Sequence, residues 1–240
     1  MKLHRFFIEQ DLSGPNIRLN DQELFNQTRN VLHLKSGEDV ILFNGDSQEV
    51  VAKIVEYGKD SVFLERVRVY ENSNEPKREL FLYCSVLKKE NFELVVQKAV
   101  EIGASKIIPV ISDRTIKMNL RIDRLCKIAK EAAEQSGRAM VPQVHEPMSW
   151  EMAVGQASHN EPNFLFDPSG AAFENSKFPA YFASEEIENS PLGIWIGPEG
   201  GWSEWEIKKA EELGFQVVSL GRLTLRAETA AIIASYLSSK

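Results

Sequence analysis

The apolar run at residues 80–87 constrains the fold of this chain more than any other feature. A strand with one face in water alternates apolar and polar residues, whereas this run is apolar on both faces and predicts a strand buried on both sides. Strand and helix patterns alternate after it, with strands predicted at 106–111, 163–167, 192–196 and 216–220 and helices between them and after the last. This alternation predicts an α/β domain with a mainly parallel sheet.

Two glycines mark the ends of predicted helices in this part of the chain. Gly103 follows an apolar helical pattern that includes Phe92, Val96 and Ala99, and Gly137 closes a second helix. The left-handed residue that often ends a helix favours glycine, because glycine has no Cβ to clash.

The first 70 residues have a different pattern, dominated by short strands. Residues 40–43 and 50–55 flank Asn44-Gly45-Asp46, which favours a hairpin turn, and a strand at 62–67 follows a second turn at 57–60. Only residues 21–32 look helical. The pattern predicts a small β-barrel or curled sheet, and the polar segment at 71–77 predicts a boundary between domains at 1–72 and 73–240.

Composition and charge narrow the class of protein. The net charge of −7 argues against a nucleic-acid partner, yet residues 76–140 carry 13 basic and 8 acidic side chains. This basic segment fits two interpretations equally well: a local phosphate-binding face, or a set of solvated, lysine-rich helices. No apolar run reaches the roughly 20 residues of a membrane span, and no signal-peptide pattern is present, so we expect a cytoplasmic protein.

Cysteine and histidine usage indicates neither disulfides nor a metal site. Cys84 and Cys126 have no CxxC spacing and are expected to be two buried thiols in a reducing compartment. The four histidines are scattered and there is no HExxH, so no metal is predicted. The sequence also lacks the GxGxxG, GxxxxGK[ST] and GxSxG motifs.

Three loops should meet at the carboxyl edge of the parallel sheet, where open α/β folds bind ligands. They are residues 167–170, 197–201 and 221–229. The second contains three glycines and one proline, and Ser203 and Glu206 after it have the spacing of a capping box that starts a helix. Its unpaired N–H groups suit a ligand, but a turn that needs glycine only for tight packing fits the same residues.

The third loop ends at Arg226 and Glu228, just before an apolar C-terminal helix. Taken alone, these two charges favour a capping ion pair over contact with a ligand. Other basic positions are Lys88 and Lys89, Arg138 at a helix end, and Arg114 with Lys117 upstream. At the N-terminus, His4 and Arg5 precede Phe6 and Phe7; these aromatics suit stacking on RNA bases, although at least one of them should face the core of a strand.

Six segments, taken together and in order over nearly the whole chain, resemble the ribosomal RNA small subunit methyltransferase E family of the SPOUT superfamily. One departure is His33, which stands where the family often has an arginine. The matching segments are residues 4–7, 31–38, 96–103, 131–138, 196–203 and 220–230.

The resemblance implies a fold and an activity that the residue patterns did not give. It implies a PUA-like, RNA-binding β-barrel at 1–72, a trefoil-knotted α/β methyltransferase domain at 73–240, and a homodimer. It also implies that knot loops hold S-adenosylmethionine and that the enzyme methylates N3 of one uridine in the 16S ribosomal RNA of the small subunit.

The same resemblance assigns roles to residues. Arg226, or Arg5 of the partner subunit, would stabilise the uracil anion, while Glu199 or Glu228 would order the site. RNA contacts are expected at His4, Arg5, Arg29, Lys88, Lys89, Arg114 and Arg138. Cofactor contacts are expected at Phe166, Gly197, Pro198, Glu199, Gly200, Leu220, Gly221, Leu223, Leu225, Arg226, Ala227 and Thr229.

Three other functions stay open at this point. A SPOUT enzyme that methylates a ribose 2′-hydroxyl or a different base would have the same fold. An RNA-binding module with a degenerate cofactor pocket would retain the basic segment at residues 76–140 and the β-barrel. A small-molecule enzyme of α/β type could use the same glycine loop.

Overall fold

The computed structural model describes residues 3–116, 119–157, 162–173 and 190–239. The chain divides into two compact units: Met1–Glu75 with Ala133–Val141, and Pro76–Ala132 with Pro142–Lys240. The chain first passes from one unit to the other between Glu75 and Pro76, inside the polar segment at 71–77.

The first unit is built on a mixed five-stranded sheet. The order is β1-β3-β4-β5-β2, in which β1 runs parallel to β3 and the remaining neighbours are antiparallel. The strands are β1 (Arg5–Phe7), β2 (Asn16–Leu19), β3 (Asp39–Phe43), β4 (Gln48–Tyr57) and β5 (Val62–Glu71).

Alternating side chains and two irregularities shape this sheet. Phe6, Leu42 and Ile54 point into one apolar core, so Phe6 takes the core position expected of one aromatic of β1. The predicted hairpin is confirmed, with Gly45 at φ +93° between β3 and β4. The β4–β5 register shifts twice, and such bulges bend strands, so the sheet is curled.

The predicted helix at residues 21–32 is present in two parts. Helix α1 (Gln22–Asn26) begins at Asp21, whose carboxylate accepts from the amides of Glu23 and Leu24. A π-helical turn, Gln27–Val31, continues it. The π-helical part is a departure from the regular helix that the sequence pattern indicated.

The second unit contains a parallel sheet with helices between its strands. The sheet order is β12-β10-β11-β6-β7-β8, β9 also pairs with β7, and every pairing is parallel. This confirms the predicted α/β class. The elements are β6 (Leu80–Ser85), α2 (Lys89–Ile102), β7 (Lys106–Ile111), α3 (Ile122–Ser136), β8 (Gln143–Val144), β9 (Met148–Ser149), α4 (Trp150–Gln156), β10 (Asn163–Ala172), β11 (Leu192–Ile196), α5 (Glu204–Glu212), β12 (Gln216–Ser219) and α6 (Ala227–Ser238).

The central strands explain why this sheet forms. All six residues of β6 are buried, as the apolar run predicted. On β6 and β11, Tyr83 stacks on Trp195 with ring centroids 4.0 Å apart, and the Trp195 indole donates to the Asn163 amide oxygen at 2.9 Å. Helix α2 ends at Gly103 with φ +117°, and Gly137, with φ +85°, directly follows α3, so both predicted helix ends are confirmed.

Strand β10 differs from the prediction, which ended it at residue 167. It continues to Ala172 after an irregularity between Phe166 and Ala171 in its pairing with β12. Gly170 permits this path, because a Cβ there would lie 2.5 Å from the Val218 backbone nitrogen. The loop expected at 167–170 is therefore a bulge within a strand.

Three further predictions concern a helix before β11, the two cysteines and membrane-spanning segments. The helix expected between β10 and β11 falls mainly on 174–189, outside the described residues. Cys84 is buried, but Cys126 is exposed on α3, so the expectation of two buried thiols was wrong for Cys126. Within the described ranges, none of the helices has the length and apolar character to cross a membrane.

Candidate active site

One cavity of about 1000 Å³ lies in the second unit, at the carboxyl ends of its parallel strands. Its walls come from the beginning of α2, the bulge in β10, and the loops that follow β7, β11 and β12. Because β10, β11, β6 and β12 run in one direction, their carboxyl ends bring these segments to one edge of the sheet. All three segments selected from the sequence contribute to it, although residues 167–170 form a bulge in β10 and not a loop.

The glycine loop after β11 is fixed against the sheet by Trp202. The Trp202 indole donates to the backbone carbonyl of Phe166 at 3.3 Å, and the side chain is buried. Gly197 faces that ring, where a Cβ would come within 3.2 Å of it. Tight packing therefore accounts for one glycine of the loop, while Gly200 and the loop backbone still line the cavity.

Glu206 joins the glycine loop to the loop after β7. Ser203 caps α5, and the predicted capping box is confirmed by reciprocal bonds between Ser203 and Glu206. One oxygen of the buried Glu206 carboxylate accepts from the Ser203 amide at 2.8 Å, and the other accepts from the Asp113 amide at 2.9 Å. The second bond holds two loops distant in sequence together, and the capping motif did not predict it.

Two more contacts set the rim of the cavity. The Arg114 guanidinium donates to the Gly200 carbonyl at 3.0 Å, and the Lys88 amide donates to the Glu199 carboxylate at 3.2 Å. Behind this rim, burial and then the Glu199 charge raise the pKa of the Cys84 thiol. Cys84 therefore stays a neutral thiol, and Glu199 orders the start of α2.

Two opposite charges in the loop after β12 have no bonded partner among the described residues. Gly221, at φ +130°, is held by its amide to the Ser219 hydroxyl at 3.3 Å. Arg226 begins α6 without a side-chain cap and is exposed, whereas Glu228 is buried. No ion pair joins Arg226 to Glu228 in the described chain, so the favoured interpretation as a capping ion pair was wrong.

The cavity collects nearly all the residues expected to contact a cofactor. Thr229 is the exception, since it does not line the cavity. Trp202 of the glycine-rich segment at 196–203 also lines it, as do Asn91 and Ser219, which the sequence analysis did not select. The expected residues that do line it are Phe166, Gly197, Pro198, Glu199, Gly200, Leu220, Gly221, Leu223, Leu225, Arg226 and Ala227.

The residues expected to contact RNA fall into two groups, one in each unit. In the second unit, Lys88 and Arg114 line the cavity, while Lys89 is exposed in the first turn of α2. Lys117 lies outside the described residues. In the first unit, His4 is exposed, and Arg29 lies over the rings of Phe25 and Tyr57.

Arg5 belongs to a buried network in the first unit. Its guanidinium makes two bonds of 2.6 Å to Glu49, and their side chains are 8% and 0% exposed. Tyr70 and Asn72 also donate to Glu49. Burial alone would raise the pKa of Glu49, but these hydrogen bonds outweigh it and lower that pKa, while burial and Glu49 raise the pKa of Tyr70 to about 12.

Arg138 is also paired within the first unit. It bonds to the Glu75 carboxylate at 2.7 Å, its side chain is 6% exposed, and its carbonyl accepts from Arg5 at 2.7 Å. Arg5 and Arg138 thus have protein partners for their charges, whereas Lys88 and Arg226 have exposed side chains on the cavity.

Among the described residues, no group of three or more His, Cys, Asp or Glu could hold a metal ion.

A family model for an RNA methyltransferase domain matches residues 73–239 of the chain. A ribosomal RNA small subunit methyltransferase E from Rickettsia conorii is 32% identical over 238 residues, which covers 98% of this chain and 94% of that protein.

Two solved structures are similar over almost the full length. One is a ribosomal RNA small subunit methyltransferase E from Neisseria gonorrhoeae bound to S-adenosylmethionine, with a TM-score of 0.87, 29% identity, and coverage of 98% of this chain and 95% of that one. The other is a putative methyltransferase from Legionella pneumophila in complex with the same cofactor, with a TM-score of 0.85, 28% identity, and coverage of 99% and 97%.

Proposed function

The chain belongs to the ribosomal RNA small subunit methyltransferase E family, and we propose that it methylates N3 of one uridine in 16S ribosomal RNA. The methyl donor is S-adenosylmethionine. The observation that carries this proposal is the cavity of about 1000 Å³, on which the glycine loop and the loop after β12, both in family-like segments, converge.

The residues of the cavity fit this cofactor. Its volume lies at the upper end of the roughly 300–1,000 Å³ typical of small-molecule sites, which leaves space for a base beside a cofactor. Phe166, Ile196 and Leu225 offer apolar walls, and the loop backbones offer hydrogen-bonding groups. S-adenosylmethionine supplies an activated methyl group when bound, so the protein must align the substrate and manage one proton.

Arg226 is the residue that we assign to the developing anion of uracil. Uracil N3 is weakly acidic, so its anion needs a nearby positive charge in the transition state. Arg226 lines the cavity, is exposed and has no ion-pair partner in the described chain, so its guanidinium is available for that task. Arg5 is less suited in this structure, because Glu49 already neutralises it.

The rim of the cavity offers positive charge to the RNA backbone. Lys88 and Arg114 line it and Lys89 is exposed in the first turn of α2, so the second unit would contact phosphates beside the target base. Such contacts help offset the few kcal/mol needed to unstack a base. RNA affinity should fall steeply with salt, and an affinity that does not change with salt would contradict this part of the proposal.

The family also suggests features of the whole enzyme. We propose that residues 1–72 form a PUA-like RNA-binding barrel, which agrees with the curled sheet of the first unit. We further propose a trefoil-knotted methyltransferase domain at 73–240, a homodimer, and action in the cytoplasm, where small ribosomal subunits are made. The further RNA contacts at His4 and Arg29 belong to this proposal, whereas Arg138, like Arg5, is less suited because it is buried and paired with Glu75.

Nucleoside analysis of ribosomal RNA tests the reaction directly. A strain that lacks this protein should lose 3-methyluridine from its 16S RNA, and the purified protein with S-adenosylmethionine should restore it to small subunits from that strain. Loss of a ribose-methylated nucleoside instead would identify a different methyltransferase of the same fold. A wild-type protein that binds no S-adenosylmethionine in calorimetry would exclude the enzyme and favour an RNA-binding module.

A further inference from the structure

Glu228 differs from every other charged residue that lines the cavity in the described chain. Its side chain is buried, with the residue 8% exposed, whereas Asp167 is half-buried and the remaining charges reach solvent. Those exposed charges are Lys88, Arg114, Glu199, Glu204 and Arg226. Salt and water screen exposed charges strongly and buried ones much less, so the field of Glu228 acts on the cavity with the least attenuation.

No described residue donates a hydrogen bond or forms an ion pair with the Glu228 carboxylate. Its place in the first turn of α6, a helix of 12 residues, favours a negative charge there. That interaction is modest, and the Glu228 oxygens are not among the buried polar atoms that lack a partner, so they face the cavity. The carboxylate can therefore attract a further positive charge that enters the cavity.

The methyl donor and its product differ by one such charge. S-adenosylmethionine carries a sulfonium cation that has no N–H to donate, and transfer of the methyl group leaves a neutral thioether, S-adenosylhomocysteine. Attraction between a sulfonium and a carboxylate therefore needs no hydrogen bond and acts over several ångströms. The amino-acid and adenosine parts are common to both molecules, so their contacts cancel in a comparison of the two affinities.

On the basis of the proposed use of S-adenosylmethionine, we propose that Glu228 makes the cavity select the cationic methyl donor over the neutral product. Glu228 is then a specificity-determining residue of the cofactor site. It favours loading of the donor and release of the product once the positive charge has gone.

Calorimetry with both ligands on three variants tests this proposal. Glu228→Gln has nearly the same shape without the charge, and it should weaken S-adenosylmethionine binding about tenfold and S-adenosylhomocysteine binding less than about twofold. Glu228→Asp keeps the charge and should retain most of the selectivity. Glu204→Gln, which removes an exposed charge from the same cavity, should change the ratio of the two affinities less than about twofold.

Several results would overturn the proposal. Equal weakening of both ligands by Glu228→Gln, or an unchanged ratio, would exclude charge selection by Glu228 while the proposed function stands. If the wild-type protein binds neither ligand, both the proposed function and this inference are excluded.

The wild-type protein provides a second measurement that needs no variant to fold. Because Glu228 is buried, the ratio of the two affinities should change less than about twofold between about 50 mM and about 500 mM NaCl. A ratio that collapses at high salt would assign the selectivity to the exposed charges and overturn the proposal.

Discussion

Two arginine–glutamate combinations in this chain serve opposite purposes. In the first unit, Arg5 and Glu49 form a bidentate pair with side chains 8% and 0% exposed. In the second unit, Arg226 and Glu228 stand two residues apart on the cavity and form no pair. A charge that is already neutralised inside the protein stabilises the fold, whereas a charge that is left unneutralised at a cavity remains available to a ligand.

The largest effect is expected when Glu49 loses its charge. Glu49→Gln leaves Arg5 charged and buried without compensation, which should lower the unfolding free energy of the first unit by about 3–5 kcal/mol. Hydrogen exchange of the β3–β5 amides measures this loss locally. Glu65→Gln is the matched control, because Glu65 is exposed on β5, and it should change the unfolding free energy by less than about 0.5 kcal/mol. Equal effects of the two variants would show that burial of the pair does not matter.

Acid should weaken the same pair in the wild-type protein. Hydrogen bonds hold the pKa of Glu49 below its ordinary value of 4.5, so the unfolded chain takes up a proton first. The stability from this group is present above 4.5 and is lost as the pH falls through the lowered folded pKa. Below pH 4.5, the thermal unfolding temperature should therefore decrease more steeply with falling pH for the wild type than for Glu49→Gln. Parallel plots of unfolding temperature against pH would contradict this expectation.

Removal of the unneutralised arginine should affect catalysis and spare stability. Arg226→Ala should lower the kcat of methylation by about 100-fold, as loss of a charge that stabilises an anion does, with the urea midpoint nearly unchanged. Arg222→Ala is the control, since Arg222 is exposed in the same loop and does not line the cavity. If Arg226→Ala instead unfolds the protein, Arg226 belongs with Arg5 among the structural charges.

A smaller effect is expected at Glu206, a buried carboxylate whose partners are backbone amides. Glu206→Gln places an amide N–H against the N–H of Asp113 or Ser203 and should lower the stability of the second unit by about 1–3 kcal/mol. It should also weaken S-adenosylmethionine binding, because the glycine loop loses an anchor. Glu212→Gln breaks an exposed pair with Lys209 and serves as control; equal losses would show that the bridge between loops is unimportant.

The smallest effect is expected at the exposed pair of Arg124 and Glu93. Their contact of 2.6 Å is as short as that of Arg5 and Glu49, but the Arg124 side chain is 52% exposed. Arg124→Gln should therefore lower the unfolding free energy by at most about 1 kcal/mol. A loss as large as that of Glu49→Gln would show that distance, and not burial, decides which pairs matter.

Much of the fold could be predicted from the sequence because its signals are local. The apolar run of β6, the hairpin at Gly45 and the helix end at Gly103 each depend on residues close together in the chain. The bulge in β10 could not be predicted, because it depends on how closely Gly170 approaches Val218 on β12.

The candidate site was predictable in its loops and unpredictable in its charges. The glycine loop and the capping box at Ser203 are sequence motifs, and both occupy the expected place. Glu49, the partner of Arg5, and Asp113, the second partner of Glu206, lie 44 and 93 residues away in the chain, so no local pattern could identify them. The same limit explains Arg226 and Glu228, whose spacing suggested an ion pair that is not formed.

Trp202 gives the cavity its own optical reporter. It is one of four tryptophans in the chain, and among them it alone lines the cavity within the described residues. Its indole is buried and donates to the Phe166 carbonyl on the wall of the same cavity. A ligand that enters there changes the surroundings of that ring, so the intrinsic emission of the protein should follow occupancy in real time and without a label.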